Sequence, residues 1–460
     1  MQLHRPSLFR SSLRSIALVS TLTLATIGAA NAEALLLVEA DTGKVLQAEN
    51  ATYPWYPASV TKLMTAYVTL KAVKEGRITL DTLVTVSPTA SSQSPSKMGF
   101  RPGTQVTVDN AIKMMLVKSA NDMAVVLAEG VGGSIDGFSA LMNQNAQRLG
   151  MTQTSYVNPN GLPADGQITS ARDLAILARA IIRDLPEYEY FVHIPSIRYG
   201  RRITQNFNKL IGRYPGADGF KTGFICAAGY NLVASATRNG KRLIAVVLGA
   251  SSGQARAVKA IQMLDRGFNS DQLSWLRPTL GTVDSLAPID ASPPNLRDEM
   301  CNGKRHRPAS DEDEDTSASN GNSGAALAFF ATGSQGPALK PSELLATAPA
   351  ASEPIPVYTG PTRTGAALIA AVAADVAADD AAAAARRHGK KSRVASKKPP
   401  EAGPDNSGAK SASGKQAKHA NAKPDAKTAD KPATGDKSAK PKAAAKPAKP
   451  APKNADSKSG

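Results

Sequence analysis

Three short motifs in this chain combine residue types that can perform nucleophilic catalysis. They are Ser59-Val60-Thr61-Lys62, Ser119-Ala120-Asn121 and Lys221-Thr222-Gly223, in that order along one globular-looking stretch. A serine hydroxyl is a weak nucleophile until an adjacent base takes its proton, and in the first motif the base close by is a lysine. The motifs therefore predict a serine nucleophile that a lysine, not a histidine, activates.

The spacing of the first motif favours Ser59 as that nucleophile. Residues three apart lie on one face of a helix, so the Lys62 amine can reach the Ser59 hydroxyl. Pro57 precedes the motif and a run of apolar residues follows it, which places Ser59 at the start of a buried helix. Free backbone N–H groups there stabilise an oxyanion, and burial is expected to lower the pKa of Lys62 so that it acts as a base.

Each motif taken alone is weak evidence. The Ser-x-x-Lys spacing recurs at Ser94 and Ser407, but the first lies in a polar, proline-containing run and the second in a low-complexity tail. The motif around Ser119 is also typical of a polar helix end, and the one around Lys221 is also typical of a loop before a strand. It is their order within one stretch that indicates a single site.

Periodicity predicts the elements that must hold these motifs. Hairpins are expected around Asp41-Thr42-Gly43 and around Asn239-Gly240, near the two ends of the domain. Between them, apolar residues recur at intervals of three and four, which predicts helices over 109–116, 134–149 and 170–182. The expected fold class is α/β of the α+β kind: an antiparallel sheet completed by the first and last segments, flanked by helices, with an inserted helical lobe.

Composition divides the chain into five zones. Residues 1–32 have arginines, an apolar run and a small-residue cleavage pattern, which predicts a signal peptide, with a retained anchor as the alternative. Residues 33–268 are expected to form one packed catalytic domain and 269–300 a short appendage. Residues 301–385 are expected to be a disordered low-complexity linker, and 386–460 a disordered Lys/Ala/Pro-rich tail. Within the linker, the alanines of its last twenty residues could support a marginal helix.

The formal net charge of +17 belongs to the two ends of the chain. Residues 386–460 hold 20 Lys and Arg against 6 Asp and Glu, and the predicted signal peptide adds three arginines, so residues 33–385 are formally neutral. The tail has no Phe, Trp or Tyr on which bases could stack, and export separates it from nucleic acid, so no nucleic-acid partner is expected. A solvated spacer and an electrostatic tether to an anionic membrane or wall polymer both stay open.

The chain has two cysteines, Cys226 and Cys301. In an exported protein they can form one bridge or stay as two buried thiols, and the sequence leaves both open because it does not give their Cα separation. No metal and no cofactor is expected, since a single histidine, His193, falls in the predicted domain. The same scarcity argues against a Ser-His-Asp hydrolase.

The three motifs resemble those of class A β-lactamases and penicillin-binding proteins. Further segments resemble the D-alanyl-D-alanine carboxypeptidases, the low-molecular-mass penicillin-binding proteins, over roughly residues 33–268. These segments are Asn158-Pro159-Asn160-Gly161-Leu162, Ser170-Ala171-Arg172-Asp173, Asp218-Gly219-Phe220 and Ala228-Gly229-Tyr230-Asn231-Leu232-Val233-Ala234. The resemblance implies a β-lactamase/transpeptidase-like fold, peptidoglycan stem peptides as substrates, β-lactams as covalent inhibitors, and a place in the periplasm or on the outer face of the cytoplasmic membrane.

The resemblance also implies roles for the site residues. Ser59 would form an acyl-enzyme with Lys62 as general base, and Ser119 would take part in a proton relay. The substrate-binding residues would be Asn121, Lys221, Thr222, Gly223 and Phe224. In this family the oxyanion hole consists of the backbone N–H groups of the nucleophile and of a residue just after the third motif, here Phe224.

Two alternatives share the implied fold: a β-lactamase and a DD-endopeptidase. The chain has no Glu-x-x-Leu-Asn pattern between its second and third motifs, since Glu187 is followed by Tyr188 and Glu189. It departs from the family in two respects. Ile225 stands where many relatives have a hydroxyl residue, and the family's C-terminal β-domain and amphipathic anchor are not evident after residue 269.

Overall fold

The structure is a computed structural model that describes residues 33–269, 279–302, 339–377 and 381. The predicted signal peptide, residues 1–32, and the predicted basic tail, residues 386–460, lie outside the described residues.

A five-stranded antiparallel sheet forms the centre of the domain. Its strands are β1 (Ala34–Glu39), β2 (Val45–Glu49), β7 (Ala217–Ile225), β8 (Gly229–Arg238) and β9 (Lys241–Ala250). They lie in the order β2-β1-β9-β8-β7, so the first strand of the domain pairs with the last one. The predicted completion of the sheet by both ends of the domain is confirmed.

The sheet buries both faces because its strands carry apolar residues on both. Leu36 and Val38 of β1 join the core on the helical side, whereas Leu35 and Leu37 join the core on the opposite side. Side chains alternate between the faces of a strand, so a near-continuous apolar run indicates cover on both sides. Helix α8 (Gly253–Asn269) covers the second face.

Helices between β2 and β7 cover the first face and build a separate lobe. Helices α1 and α6 contact the sheet, and α3, α4 and α5 pack against one another and against α1. The helices before β7 are α1 (Lys62–Lys74), α2 (Pro88–Ser91), α3 (Val108–Val117), α4 (Asn121–Gly132), α5 (Ile135–Arg148), α6 (Ala171–Asp184) and α7 (Tyr190–His193). Helices α3, α5 and α6 each begin after a Ser or Thr whose hydroxyl accepts a backbone N–H of the first turn. The predicted helical lobe is present.

Two smaller sheets lie beside the central one. Strands β3 (Leu83–Thr85) and β4 (Gln105–Thr107) form a pair, and β5 (Ser196–Tyr199) and β6 (Arg202–Gln205) form a hairpin. A two-residue strand, β10 (Ile355–Pro356), adds to β5 in parallel.

Residues 339–377 contradict the prediction that the whole of 301–385 is disordered. Leu345 packs in the core beside α8, and Val357 and Tyr358 are buried next to β10. A helix spans Gly365–Ala377, within the segment whose alanines suggested one. The average composition of residues 301–385 is typical of disorder, but it does not reveal the few apolar residues among them. These residues become buried against a surface that the domain already provides.

Residues 279–302 fold back onto the domain. Val283 is buried, Thr282 bridges to Lys44, and a short helix, Arg297–Cys301, ends in a disulfide to Cys226 with a Cα separation of 5.7 Å. The sequence left open whether Cys226 and Cys301 form a bridge or two buried thiols, and the structure shows the bridge. Among the described residues no single helix is long and apolar enough to cross a bilayer, and only α4 and α5 together, across an 83° bend, meet that test.

Candidate active site

Ser59 lies in a 3₁₀ turn, Ala58–Thr61, that leads directly into α1. The Lys62 Nζ donates a hydrogen bond of 2.9 Å to the Ser59 Oγ, as the spacing of the two residues predicted. The turn is unusual because Ala58 has a φ of 50°, in the left-handed region that residues with a side chain rarely adopt. Gly161 packs on this turn, and a β-carbon there would lie 1.8 Å from the Ala58 carbonyl oxygen.

Lys62 is fully buried and its amine is held from three directions. Besides Ser59 Oγ, its Nζ donates to Asn121 Oδ1 and to the Asn160 carbonyl oxygen, both at 2.7 Å. These acceptors fix the direction of the amine toward the serine hydroxyl. The arrangement can move a proton between Ser59 and Lys62.

The second motif joins α3 to α4. Ser119 is buried at this junction with a φ of 61° and lines the same cleft as Ser59. Asn121 accepts from Lys62 and donates through its Nδ2 to the Ser94 carbonyl oxygen at 2.9 Å. Its backbone N–H donates to the Ser96 carbonyl oxygen at 2.8 Å, so Asn121 links the lysine to the loop that carries Ser94.

That loop belongs to the cleft, which the sequence analysis missed. Pro95 and Ser96 line the cleft around Ser59, and Lys97 donates to the Ser91 carbonyl oxygen. Asp122 holds the loop by accepting the backbone N–H groups of Met98 and Gly99, and burial, the largest influence, raises the pKa of Asp122. The signal available in the sequence was a polar run with a proline, which is equally typical of a surface loop.

The third motif lies on β7, one of the two edge strands of the central sheet. Lys221 and Thr222 are buried, and the Lys221 Nζ donates to the Thr222 carbonyl oxygen at 3.0 Å. A β-carbon at Gly223 would lie 2.8 Å from the Ser59 backbone nitrogen, so the strand can lie against the nucleophile turn because it has no side chain there. Phe224, the next residue, lines the cleft.

The segment 158–167 contributes to the wall of the cleft. Gly161 and Leu162 line the cleft, and the Gln167 Nε2 donates to Thr61 Oγ1 at 3.0 Å, which ties the segment to the nucleophile turn. The Asn160 carbonyl oxygen accepts a hydrogen bond from Lys62. This segment resembles the family in sequence, but that resemblance predicted no role for it in the site.

An ionic network supports the start of β7. Arg242 of β9 forms ion pairs with Asp218, at 3.2 Å between Nη2 and Oδ1, and with Glu189. The Glu189 carboxylate in turn lies 3.2 Å from the His193 Nε2. Burial raises the pKa of Glu189, but the hydrogen bond from His193 and the charge of Arg242 outweigh it and bring that pKa below the ordinary value.

The structure thus places Ser59, Ser119, Asn121 and Phe224 on one cleft, with Lys62 buried behind Ser59. Lys221, Thr222 and Gly223 follow on the adjoining strand. Within the described residues no group of three or more His, Cys, Asp or Glu side chains is arranged to hold a metal ion. The cleft is built for acyl transfer through a serine: a nucleophile, a buried amine and backbone N–H groups near a helix start.

Comparison with known proteins agrees with this chemistry. Residues 21–252 match the peptidase family S11, described as D-alanyl-D-alanine carboxypeptidase. The chain is 41% identical over 246 residues to the D-alanyl-D-alanine carboxypeptidase DacC of Escherichia coli, covering 52% of this chain and 61% of that protein. It is 38% identical to DacF of Bacillus subtilis, covering 62% of that protein, so the chain spans about three fifths of the length of these relatives.

Solved structures of penicillin-binding proteins and carboxypeptidases are also similar to this chain. Penicillin-binding protein 5 of Haemophilus influenzae is 38% identical with a TM-score of 0.50, covering 51% of this chain and 70% of that one. The carboxypeptidase DacD of Francisella tularensis is 31% identical with a TM-score of 0.51, again covering 51% and 70%. The predicted fold class and family are confirmed, and the chain belongs to peptidase family S11, the D-alanyl-D-alanine carboxypeptidase family.

Proposed function

We propose that this protein is a serine D-alanyl-D-alanine carboxypeptidase that removes the terminal D-alanine from peptidoglycan stem pentapeptides. The observation that carries the proposal is the position of the buried Lys62 amine, 2.9 Å from the Ser59 hydroxyl and 2.7 Å from the Asn121 side chain. The names of the relatives, all D-alanyl-D-alanine carboxypeptidases, support it.

The reaction begins when Ser59 Oγ attacks the carbonyl carbon between the two terminal D-alanines and its proton passes to Lys62. The backbone N–H groups of Ser59 and Phe224 stabilise the oxyanion. As the C–N bond breaks, the leaving amine takes a proton and free D-alanine departs. Water then attacks the ester on Ser59 and releases the shortened peptide.

Strand β7 supplies the binding site for the substrate backbone. It is an edge strand of the sheet, so an extended peptide can bind along it as an additional strand. In this arrangement Thr222 binds the terminal carboxylate, Ser119 and Lys221 relay protons, and Lys221 adds positive charge. Gly223 keeps the strand free of a side chain at the point where it meets Ser59.

The walls of the cleft favour a carboxypeptidase over a β-lactamase. The residues around Ser59 include no carboxylate side chain in the part of the chain that the structure describes. A class A β-lactamase uses such a group, a glutamate acting through water, for rapid deacylation. We therefore infer that β-lactams acylate Ser59 and stay attached, as covalent inhibitors.

The substrate also determines the location. Peptidoglycan lies outside the cytoplasmic membrane, so the proposal includes export and a place in the periplasm or on the outer face of that membrane. The basic tail, 386–460, would act there as a tether to anionic lipid or wall polymer. Binding of the full chain to anionic vesicles that weakens steeply with salt would support the tether, and salt-independent binding would contradict it.

The experiment is D-alanine release from a muramyl pentapeptide by the purified protein. We expect release that is abolished by Ser59→Ala and by prior treatment with penicillin. Tyr53→Phe, a change near the turn but outside the cleft, is the control for handling and folding. Rapid turnover of penicillin without release of D-alanine would contradict the proposal and establish the β-lactamase alternative.

A further inference from the structure

A second cavity adjoins the cleft around Ser59. It encloses about 250 Å³ and shares Gly161, Leu162 and Ile225 with the cleft, so a molecule bound at Ser59 can extend into it. Tyr56 and Ala227 complete an apolar lining. No catalytic role described above uses this cavity.

One wall of the cavity comes from outside the region shared with the family. Asn295 and Arg297 line it, whereas the family match ends at residue 252. The segment is fixed on both sides of Arg297: the Leu296 N–H donates to the Ala227 carbonyl oxygen at 3.0 Å, and Cys301 is bonded to Cys226. The disulfide therefore holds a cation from beyond the matched region beside the substrate cleft.

The cavity carries opposite charges. Asp165 and Arg297 line it at exposed positions, and in the described part of the chain neither side chain makes an ion pair or a side-chain hydrogen bond. A guanidinium recognises a carboxylate through paired N–H donors, and a carboxylate recognises an ammonium group. The two charges with an apolar floor fit a group that has an aliphatic stem and ends in both an amine and a carboxylate.

The direction of β7 indicates which part of the substrate reaches the cavity. This step rests on the proposed function, in which the terminal carboxylate binds at Thr222 and the scissile bond lies at Ser59 beside Gly223. The strand then continues to Ile225, which lines the second cavity. The acyl part of the peptide therefore extends toward Arg297.

We propose that this cavity is a subsite for the side chain of the residue that precedes the D-alanyl-D-alanine, and that it selects a side chain ending in an amino-acid head group. Arg297 binds the carboxylate of that head group and Asp165 binds its ammonium. The appendage is then a specificity element that the disulfide positions.

The test compares three acetylated tripeptides that end in D-alanyl-D-alanine. The first residue has a side chain with an amine and a carboxylate, an amine alone (lysine), or neither (norleucine), and kcat/KM for D-alanine release is measured. We expect the full chain to favour the first peptide over the norleucine peptide by about tenfold, the size of one good charge-assisted hydrogen bond.

Arg297→Gln should remove most of the preference for the first peptide over the lysine peptide and leave release from the norleucine peptide unchanged. Asp165→Asn should lower release from both amine-bearing peptides. Arg77→Gln, at an exposed arginine beyond the far end of α1, is the matched control and should change nothing. Equal rates on the three peptides would overturn the subsite alone, whereas release from none of them would overturn the proposed function and the subsite with it.

Discussion

Gly223 and Ser59 touch through their backbones: a β-carbon at residue 223 would lie 2.8 Å from the Ser59 nitrogen and 3.0 Å from the Val60 nitrogen. Real β-carbons do not approach backbone atoms so closely, and neither backbone can yield without moving the nucleophile. The absence of a side chain at this position therefore sets the distance between β7 and the nucleophile turn.

Gly223→Ala should slow acylation of Ser59 by about a hundredfold, because a displacement near 1 Å in a reacting group has that effect. The measurement is the rate of labelling by a fluorescent penicillin, together with the midpoint of thermal unfolding. Gly267→Ala is the control: its β-carbon would meet Leu243 and Leu37 at 2.7 and 2.8 Å, but those atoms are side-chain ends far from the site. It should lower stability by about 1–3 kcal/mol and leave acylation unchanged. Equal labelling of the two variants would contradict this account.

Lys62→Arg should reduce the acylation rate by about a thousandfold. A guanidinium keeps its proton at any pH that the protein tolerates, so it can replace the charge and the hydrogen bonds of lysine but cannot act as a base. The loss should therefore persist as the pH is raised to about 10. Lys71→Arg in the same helix, where the lysine pairs with Glu75, should label at the normal rate. A normal rate of labelling by Lys62→Arg at neutral pH would show that Lys62 is not the base.

Glu189→Gln should destabilise the protein at neutral pH by about 1–2 kcal/mol, since it removes a charged partner of the largely buried Arg242. The pKa of Glu189 is lowered in the folded protein, so its contribution is present above the ordinary value of 4.5 and is lost as the pH falls through the folded value. The difference between variant and parent in urea unfolding should thus shrink between pH 5 and pH 3. Glu187→Gln, at an exposed pair with Lys74, should show little change at any pH. A difference of equal size at pH 3 and pH 7 would contradict the assignment.

Leu345→Ala should cost about 2–4 kcal/mol, because this side chain is 7% exposed and packs in the core beside α8. Leu339→Ala is the matched control, at a leucine that is 48% exposed, and should change stability by less than about 0.5 kcal/mol. Chemical denaturation of both variants measures the difference. If the two variants unfold alike, residues 339–377 do not pack on the domain as described.

The parts of the site that the sequence predicted are those set by short-range geometry. Ser59 and Lys62 are one turn apart, so their contact required only that the segment be helical. The hairpin at Asn239-Gly240 was predictable for the same reason: both residues have positive φ, as this type of two-residue turn requires. The resemblance then supplied the association of three motifs that are distant in sequence.

The other features of the site and of the fold depend on contacts that leave no local pattern in the sequence. Lys62 donates to the Asn160 carbonyl oxygen, and Asn121 donates to the Ser94 carbonyl oxygen, but any residue type provides a backbone carbonyl. The pairing of Cys226 with Cys301 required their separation in space. Residues 339–377 were mistaken for disordered chain because Leu345 and Val357 belong to short apolar runs in Ala/Pro-rich sequence, and their burial depends on the surface of the domain.

The pairing of β1 with β9 has a consequence for the order in which the protein folds. Leu35, Leu36 and Leu37 of β1 are among the first residues of the domain, yet one of the two strands that flank them is the last strand of the sheet. Pairings between such distant segments form slowly, since the chain must close a long loop before any contact compensates for the lost entropy. The helical lobe, whose contacts are local, can form early, whereas the sheet closes only when residue 250 is available. The hairpins of β7, β8 and β9 are local, but β1 joins them only through the long-range pairing, so the sheet that holds Lys221 and Gly223 at Ser59 is completed late in folding.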